Sequence, residues 1–143
     1  MNILKILTER RRIGNFGEKA AVSFLRKAGY KILAVNQIEN DCEIDVIAKN
    51  REYIVFTEVK TRRFGIYNPS EPRAASAVTP EKQQKIIKAA SSYLNYNKTE
   101  LKVRFDVIEV YYEGDTKRHV REINHLEGAF NRNTAYSTKG YKI

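Results

Sequence analysis

Residues 43–60 read EIDVIAKNREYIVFTEVK, two apolar runs separated by a polar segment at 49–52. Both runs are rich in β-branched and aromatic residues, and we therefore predict strands over 43–48 and 53–60. The second run is apolar on both faces until Glu58. Such a pattern is typical of a central strand that is covered on both sides. This stretch therefore predicts a sheet with helices on its faces.

The sequence on either side of this stretch supplies the remaining elements. We predict a helix at about 13–28, a strand at 32–35, a helix from Thr79 to about Tyr96, and strands at 104–112 and 117–123. The second helix has Thr79 as N-cap and Pro80 in its first turn. Residues 64–78 follow no period and are predicted to form a functional or mobile loop. The fold class is thus α/β with about five strands, a single domain over 1–130 and a basic, poorly ordered tail over 131–143.

The composition of the 143 residues narrows the classes of function. A formal net charge of +9 favours a polyanionic partner, with nucleic acid first and an anionic membrane surface second. One cysteine, Cys42, excludes an internal disulfide framework, and two histidines make a histidine-based metal site a poor prospect. The apolar stretch at the N-terminus is too short for a signal sequence, and no run reaches the roughly 18 apolar residues of a membrane span. We expect a soluble cytoplasmic protein.

The residue types that carry chemistry lie in the same two strands. Glu58 and Lys60 are two apart, so both side chains point to one face of the sheet. Asp45 stands opposite Glu58 if the hairpin turn centres between residues 51 and 52. A turn centred one residue earlier would place Glu43 there instead, and we otherwise expect Glu43 to lie outside the ligand set.

Two carboxylates about 4 Å apart repel each other by roughly 4 kcal/mol at an effective dielectric constant of 20, so a cation between them is expected. A hard divalent ion suits oxygen ligands. Glu18 lies at the rim of the apolar stripe of the first helix and supplies a third acid. With Lys60, the three acids carry a net charge of minus two, which matches one such ion. The alternative is an ion-pair network in which Lys60 bridges Asp45 and Glu58, and the residues alone leave both interpretations open.

The order of motifs along residues 14–130 resembles the YraN-like family of uncharacterised bacterial proteins. The resemblance rests on GNFGE at 14–18, EIDVI at 43–47, FTEVKTR at 56–62 and RFDV at 104–107, together with Leu25, Gly29, Tyr30, Asn36, Lys82, Ala90, Tyr93, Leu94, Ala129 and Phe130. That family is similar to restriction endonucleases and archaeal Holliday-junction resolvases. The resemblance therefore implies a restriction-endonuclease-like mixed sheet flanked by helices. Cys42 stands where the family usually has Gly, and Thr57 where Val is common; neither change removes a ligand.

The resemblance also implies a set of site residues. Glu18, Asp45, Glu58 and Lys60 fall on the family's PD-(D/E)XK-like positions. We expect Asp45, Glu58 and the Val59 carbonyl to hold Mg²⁺ or Mn²⁺, with Glu18 holding a second ion or a bridging water. We expect Lys60 to stabilise charge and position water rather than act as a general base, since its ordinary pKa is about 10.4.

Basic residues gather beside these positions. Seven cations and two acids between residues 60 and 88 give +5 of the total +9. The expected nucleic-acid contacts are Arg62, Arg63, Arg73, Lys82 and Lys85. The aromatic residues Phe64 and Tyr67 either stack on unpaired bases or pack the loop down. Asp106, by contrast, is expected to be a structural partner of Arg104.

These observations favour a Mg²⁺-dependent DNA endonuclease acting on branched or recombination structures, a substrate class that rests on fold analogy. The first alternative is a non-catalytic nucleic-acid-binding protein that retains the fold. The second is an adaptor that binds acidic proteins through the basic segment. A homodimer or a partner protein is compatible with each.

Overall fold

The computed structural model describes residues 2–65 and 78–132, and within them the chain forms two helices and one five-stranded sheet. The elements are α1 (Ile3–Lys27), β1 (Lys31–Glu39), β2 (Cys42–Lys49), β3 (Tyr53–Arg63), α2 (Pro80–Tyr96), β4 (Lys102–Glu113) and β5 (His119–Phe130). The strands lie in the order β1-β2-β3-β4-β5, with β3 and β4 parallel and the other neighbours antiparallel. The predicted α/β class with a mixed five-stranded sheet and flanking helices is confirmed.

Within the described residues, each face of the sheet is covered by one helix, and the core has two layers. On one face α2 packs through Ile86, Ala90 and neighbouring residues against Phe56 and Val107. On the other face, Ala21 and Leu25 of α1 pack against Val55 and other apolar residues of the sheet. The central strand β3 contributes to both layers, because its apolar residues alternate between the two faces. The expectation of a doubly covered central strand is therefore confirmed.

The start of α2 follows the prediction closely. The Thr79 hydroxyl accepts the Lys82 backbone N–H at 3.2 Å, and Pro80 opens the helix. The bounds of several other elements differ from the predictions: β1 continues to Glu39, past the predicted end at residue 35, and the differences are larger for α1 and β5. Helix α1 begins at Ile3, well before the predicted start at residue 13. The prediction missed the first turns because Ile3, Leu4 and Leu7 are exposed, so no buried period marks them.

Strand β5 continues to Phe130, beyond the predicted end at 123. Its last residues pair with β4 along the edge of the sheet, where the burial of side chains does not alternate. Residues 66–77 of the predicted loop and 133–143 of the predicted tail lie outside the described residues. No helix in the described ranges is long and apolar enough to cross a membrane.

A buried polar cluster joins β4 to β5 and to the chain after α1. Asp106 is fully buried and accepts two hydrogen bonds from Arg104, both 2.8 Å long. Nε2 of His125 lies 2.7 Å from Asp106 Oδ2, and the Gly128 N–H donates to Oδ1 at 3.0 Å. Arg104 also donates to the Tyr30 hydroxyl at 2.6 Å. The expected structural role of Asp106 is confirmed, and its partners extend well beyond Arg104.

Helix α1 approaches β3 so closely at Gly17 that no side chain fits there. A Cβ at this position would lie 1.8 Å from Thr61 Oγ1. We therefore expect Gly17→Ala to lower the free energy of unfolding by about 1–3 kcal/mol through overpacking. Gly14→Ala on the same helix meets no atom within 4 Å and should instead raise it, by up to about 1 kcal/mol, through helix propensity. Urea denaturation of both variants checks this, and an equal effect of the two substitutions would contradict the close contact.

Candidate metal site

Glu58 and Lys60 lie on the face of β3 that α2 covers. Glu58 is nearly buried, with a side chain that is 10% exposed, and Lys60 Nζ lies 3.7 Å from its Oε1. The two side chains point the same way, as their spacing predicts. Glu58 continues the row of Ile54 and Phe56, both of which pack against α2. A carboxylate is therefore held at the edge of an apolar core with one ammonium group beside it.

Asp45 reaches this place from the neighbouring strand. The pairs Val46↔Thr57 and Ile47↔Phe56 show that the β2–β3 turn centres between residues 51 and 52. Asp45 and Glu58 would form the next pair in this register, but the pairing ends at Val46 and Thr57. The Val59 N–H donates to Asp45 Oδ2 at 2.8 Å instead. The backbone of β3 thus fixes the Asp45 carboxylate beside Glu58.

Glu18 and Glu43 complete the group of acids. One carboxylate oxygen from each of Glu18, Glu43 and Asp45 lies within 4.8 Å of the other two. The structure thus brings Glu43, for which no ligand role is predicted, next to Asp45. The sequence did contain a signal, because Glu43 and Asp45 are two apart on a strand and share a face just as Glu58 and Lys60 do. Glu58 is not one of these three acids, but it lies near enough to Asp45 for repulsion between the two charges to raise its pKa, and we call the four residues Glu18, Glu43, Asp45 and Glu58 the acid cluster.

Asn36, one of the residues that carry the family resemblance, also lies in this region, although no role was predicted for it. It lies opposite Asp45 in β1, between the pairs Val35↔Val46 and Gln37↔Ile44, and its φ is +53°. Asparagine tolerates this left-handed conformation better than most residues. The side-chain amide of Asn36 lies near the Glu18 carboxylate and opposes the rise of its pKa. Asn36 therefore links the edge strand to the acid on α1.

The sheet is also irregular at this point. Ile44 packs on the α2 side and Val46 on the α1 side, although residues two apart on a regular strand share a face. The interruption falls at Asp45. It allows one carboxylate to approach acids that come from both sides of the sheet, Glu18 from α1 and Glu58 from the α2-covered face.

The acid cluster is electrostatically unfavourable as it stands. Burial, and secondarily repulsion from Asp45, raises the pKa of Glu58 to about 7. Burial raises the pKa of Asp45, with a further contribution from Glu43, while the Val59 N–H opposes the shift. Burial and repulsion from Asp45 also raise the pKa of Glu18. The fold therefore holds these carboxylates close together despite their mutual repulsion.

The donor set fits a hard divalent cation. All candidate ligands are carboxylate oxygens, which Mg²⁺ and Mn²⁺ accept and soft metals do not prefer. The acid cluster contains four carboxylates, and the ammonium groups near it are those of Lys60 and Lys82, both of which lower the pKa of Asp45 and Glu58. When all are ionised the net charge is minus two, the value that one such cation neutralises. Carboxylates that are buried close together without such a cation have raised pKa values, as these carboxylates do.

The expected nucleic-acid contacts occupy different environments. Lys82 on α2 is half-buried and faces Asp45 and Glu58, while Lys85 is exposed one turn further on. Arg63 pairs with Asp115 at 3.0 Å and lies over the ring of Tyr112. Arg62 is half-buried on β3. Arg73 and Tyr67 lie outside the described residues.

Phe64, the other aromatic residue proposed to stack on bases, contacts the protein itself. The guanidinium of Arg121 lies 5.1 Å from the centre of its ring. The side chain is 38% exposed. Cys42 is buried in the α2-side layer and packs there as a small apolar residue, as expected.

The raised pKa of Glu58 leads to a testable pH dependence. In the unfolded chain Glu58 ionises near its ordinary value of 4.5, whereas in the folded protein it keeps its proton until about pH 7. The folded state binds more protons between these values, so without divalent ions the free energy of unfolding should fall by about 2–3 kcal/mol as pH rises through this window. Urea denaturation in EDTA from pH 4.5 to 8 measures the fall.

Glu58→Gln provides the control for this pH dependence. Glutamine keeps the shape of the side chain and does not titrate, so most of the fall should disappear in the variant. An unchanged fall in Glu58→Gln would show that another group causes it.

The architecture and the acid cluster together define the class of protein. A mixed five-stranded sheet between two helices, with one parallel pair at its centre, is consistent with the restriction-endonuclease-like fold. The sequence model of the uncharacterised protein family UPF0102 matches residues 17–110, which include the whole acid cluster. The chain belongs to this family, and the resemblance to YraN-like proteins is confirmed.

Relatives of this chain occur in distant bacteria. The UPF0102 protein of Chlorobium phaeobacteroides is 42% identical over 121 residues, covering 82% of this chain and 93% of that protein. The UPF0102 protein of Flavobacterium psychrophilum is 39% identical over 127 residues, covering 87% and 98%. The UPF0102 protein of Caldanaerobacter subterraneus is 43% identical over 125 residues, covering 85% and 96%. The similarity extends over nearly the full length of each relative.

Proposed function

We propose that this protein is a Mg²⁺-dependent or Mn²⁺-dependent endonuclease that hydrolyses DNA phosphodiesters in the cytoplasm. The acid cluster carries the proposal. Glu18, Glu43 and Asp45 have oxygens within 4.8 Å of one another, and Glu58 lies beside Asp45 with a pKa raised to about 7. An ion-pair network with a purely structural role would need enough cationic side chains to neutralise these acids. The two nearby lysines leave part of the negative charge without a counterion.

The roles of the residues follow from their positions. Asp45, Glu58 and the Val59 carbonyl would hold the catalytic ion, and Glu18 and Glu43 would hold a second ion or orient water. Bound there, a divalent ion polarises a phosphate oxygen and lowers the pKa of a coordinated water. The Val59 N–H keeps Asp45 in place through its 2.8 Å hydrogen bond. This arrangement suits metal-assisted hydrolysis of a phosphodiester.

The two lysines supply positive charge where a phosphate would lie. Lys60 Nζ is 3.7 Å from Glu58 Oε1, so its ammonium group borders the same carboxylate that would bind the ion. Lys82 reaches Asp45 and Glu58 from α2. Both ammonium groups can stabilise the charge that develops on phosphate. Neither needs to accept a proton.

The experiment that tests the proposal offers the purified protein a panel of DNA substrates. Linear duplex, single-stranded, flapped, splayed and four-way DNA are incubated with Mg²⁺, with Mn²⁺ and with EDTA, beside Lys60→Ala. We expect divalent-ion-dependent cleavage of at least one branched substrate, and its loss in the variant. Salt-sensitive binding without cleavage of any substrate would favour a non-catalytic nucleic-acid-binding protein instead.

A further inference from the structure

Helix α1 carries a regular row of cations. Lys5, Arg12, Lys19 and Arg26 are spaced seven residues apart and all four are exposed. Seven residues make almost two turns, and successive members of the row drift by only about 20° around the helix. The four side chains therefore lie on one face of α1. We call this row the basic stripe.

The charges of the basic stripe are available to a ligand. Among the residues that the structure describes, none of the four cations has an acidic partner within 4 Å. Several other surface cations do have one, including Arg63 with Asp115, Lys102 with Glu52 and Arg121 with Glu113. Other exposed cations, such as Lys85 and Lys98, also lack an acidic partner among the described residues, and the basic stripe differs from them in its regular spacing along one helix face.

The basic stripe passes directly beside the acid cluster. A cleft of about 390 Å³ between α1 and β1 is lined by Asn15, Lys19 and Arg26 together with Glu18 and Asn36. Glu18 belongs to the acid cluster, and Asn36 lies near its carboxylate. If a nucleic-acid strand placed one phosphate at the acid cluster, the adjacent phosphates of that strand would therefore reach the basic stripe.

We propose that the basic stripe binds the sugar–phosphate backbone of the nucleic acid on the α1 side of the acid cluster. The proposal rests on the proposed function and adds a second contact surface, opposite to Lys82 and Lys85 on α2. Adjacent members of the stripe are about 10.5 Å apart along the helix, which corresponds to about three nucleotides of a strand. From Lys5 to Arg26 the stripe spans about 31 Å, enough for about nine nucleotides.

A basic helix face is also a feature of proteins that bind anionic membranes. In α1 the exposed large apolar residues are confined to the first two turns, at Ile3, Leu4 and Leu7. Around Lys19 and Arg26 the cleft is lined by polar residues and by two valines: Asn15, Glu18, Ser23, Asn36, Val22 and Val35. The part of α1 beside the acid cluster therefore lacks the exposed large apolar side chains with which a membrane-binding helix enters a bilayer, and this favours nucleic acid as the ligand.

The test compares two triple variants that remove the same charge. Arg12→Gln, Lys19→Gln and Arg26→Gln remove three members of the stripe. The control removes three exposed cations that lie off it: Arg10→Gln, Lys27→Gln and Lys98→Gln. Fluorescence anisotropy with a labelled duplex and a labelled single strand, in EDTA and again in Ca²⁺, gives affinity as a function of salt. Thermal melts confirm that both triples fold.

We expect the stripe variant to bind at least about tenfold more weakly, with a salt dependence of log K that is shallower by about 2–3. The control should stay within about twofold of the wild type. Equal losses of affinity in the two variants would overturn the proposal that the basic stripe binds nucleic acid, and would leave the nuclease proposal intact. A wild-type protein that binds no nucleic acid would overturn both. Binding to phosphatidylserine vesicles in preference to DNA would overturn the stripe's assignment to nucleic acid.

Discussion

Asp45→Asn should lower the rate of DNA cleavage by on the order of a thousandfold while leaving the protein folded. Asparagine keeps an oxygen that can accept the Val59 N–H, so the 2.8 Å contact that positions this side chain is retained. It removes the charge that lies within 4.8 Å of Glu18 and Glu43. The loss should therefore reflect the metal site and not the packing. Single-turnover kinetics on the best substrate of the DNA panel measures it.

The same substitution makes a second, independent prediction about metal binding. Mg²⁺ should raise the melting temperature of the wild type, because a ligand that binds only the folded state stabilises it by mass action. The variant should show little of this shift. Without metal it should be as stable as the wild type or more so, since Asp45 repels Glu58 and Glu18.

Asp41→Asn is a matched control for both measurements. Asp41 is an exposed acid in the turn before β2, with a φ of +59° that asparagine tolerates. It undergoes the same chemical change four residues away and should leave cleavage and the Mg²⁺ shift unchanged. Cleavage that persists in Asp45→Asn would remove Asp45 from the site and with it the proposed mechanism.

Much of the arrangement around Asp45 could be predicted from sequence because it depends on local rules. The two-residue periodicity of strands places Glu58 and Lys60 on one face. The polar residues 49–52 between two apolar runs set the β2–β3 register, with a turn centred between residues 51 and 52. Thr79 followed by Pro80 marks the start of α2. Each inference uses residues that are neighbours in the chain.

The rest depends on contacts between distant elements, which no local pattern encodes. Asn36 adopts a left-handed φ opposite Asp45, and only the pairing of β1 with β2 reveals that these two residues meet. The change of face between Ile44 and Val46 likewise appears only when both layers of the core are present. The proximity of Glu43 to Glu18 was not predicted for the same reason. Its position next to Glu18 follows from the packing of α1 on the sheet.

The start of α1 shows a different limit of sequence reasoning. Prediction of a helix relies on a buried stripe, and the first turns of α1 bury almost nothing, with Ile3 and Leu4 both 68% exposed. Lys5 and Arg12 lie in the stretch that the prediction left out of the helix. The basic stripe becomes visible only when α1 is known to be continuous from Ile3 to Lys27.

Asp106→Ala should cost about 3–5 kcal/mol of stability, a large part of the 5–15 kcal/mol that is typical of a domain. Asp106 is fully buried and accepts hydrogen bonds from Arg104 and the Gly128 N–H, with His125 at 2.7 Å. Alanine would leave the Arg104 guanidinium, whose side chain is 12% exposed, with no carboxylate on its buried side. Urea denaturation at neutral pH measures the loss.

The pKa of Asp106 gives this prediction a pH signature. Hydrogen bonds from His125, Arg104 and Gly128 outweigh burial and hold the pKa below the ordinary 3.8. The stabilisation by Asp106 is therefore fully present above pH 3.8 and is lost as pH falls through the lower, folded-state value. The difference in stability between the wild type and Asp106→Ala should accordingly narrow below pH 3.8.

Asp115→Ala is the control for the Asp106 prediction. Asp115 also forms an ion pair, with Arg63 at 3.0 Å, but its side chain is 90% exposed. Water screens such a pair, so its removal should cost less than about 1 kcal/mol. If both substitutions lowered the free energy of unfolding equally, burial could not be the reason for the large contribution of the Arg104–Asp106 pair to stability. A small loss for Asp106→Ala alone would mean that Arg104 finds another acceptor, for which Glu127, 3.7 Å from its guanidinium, is the nearest candidate.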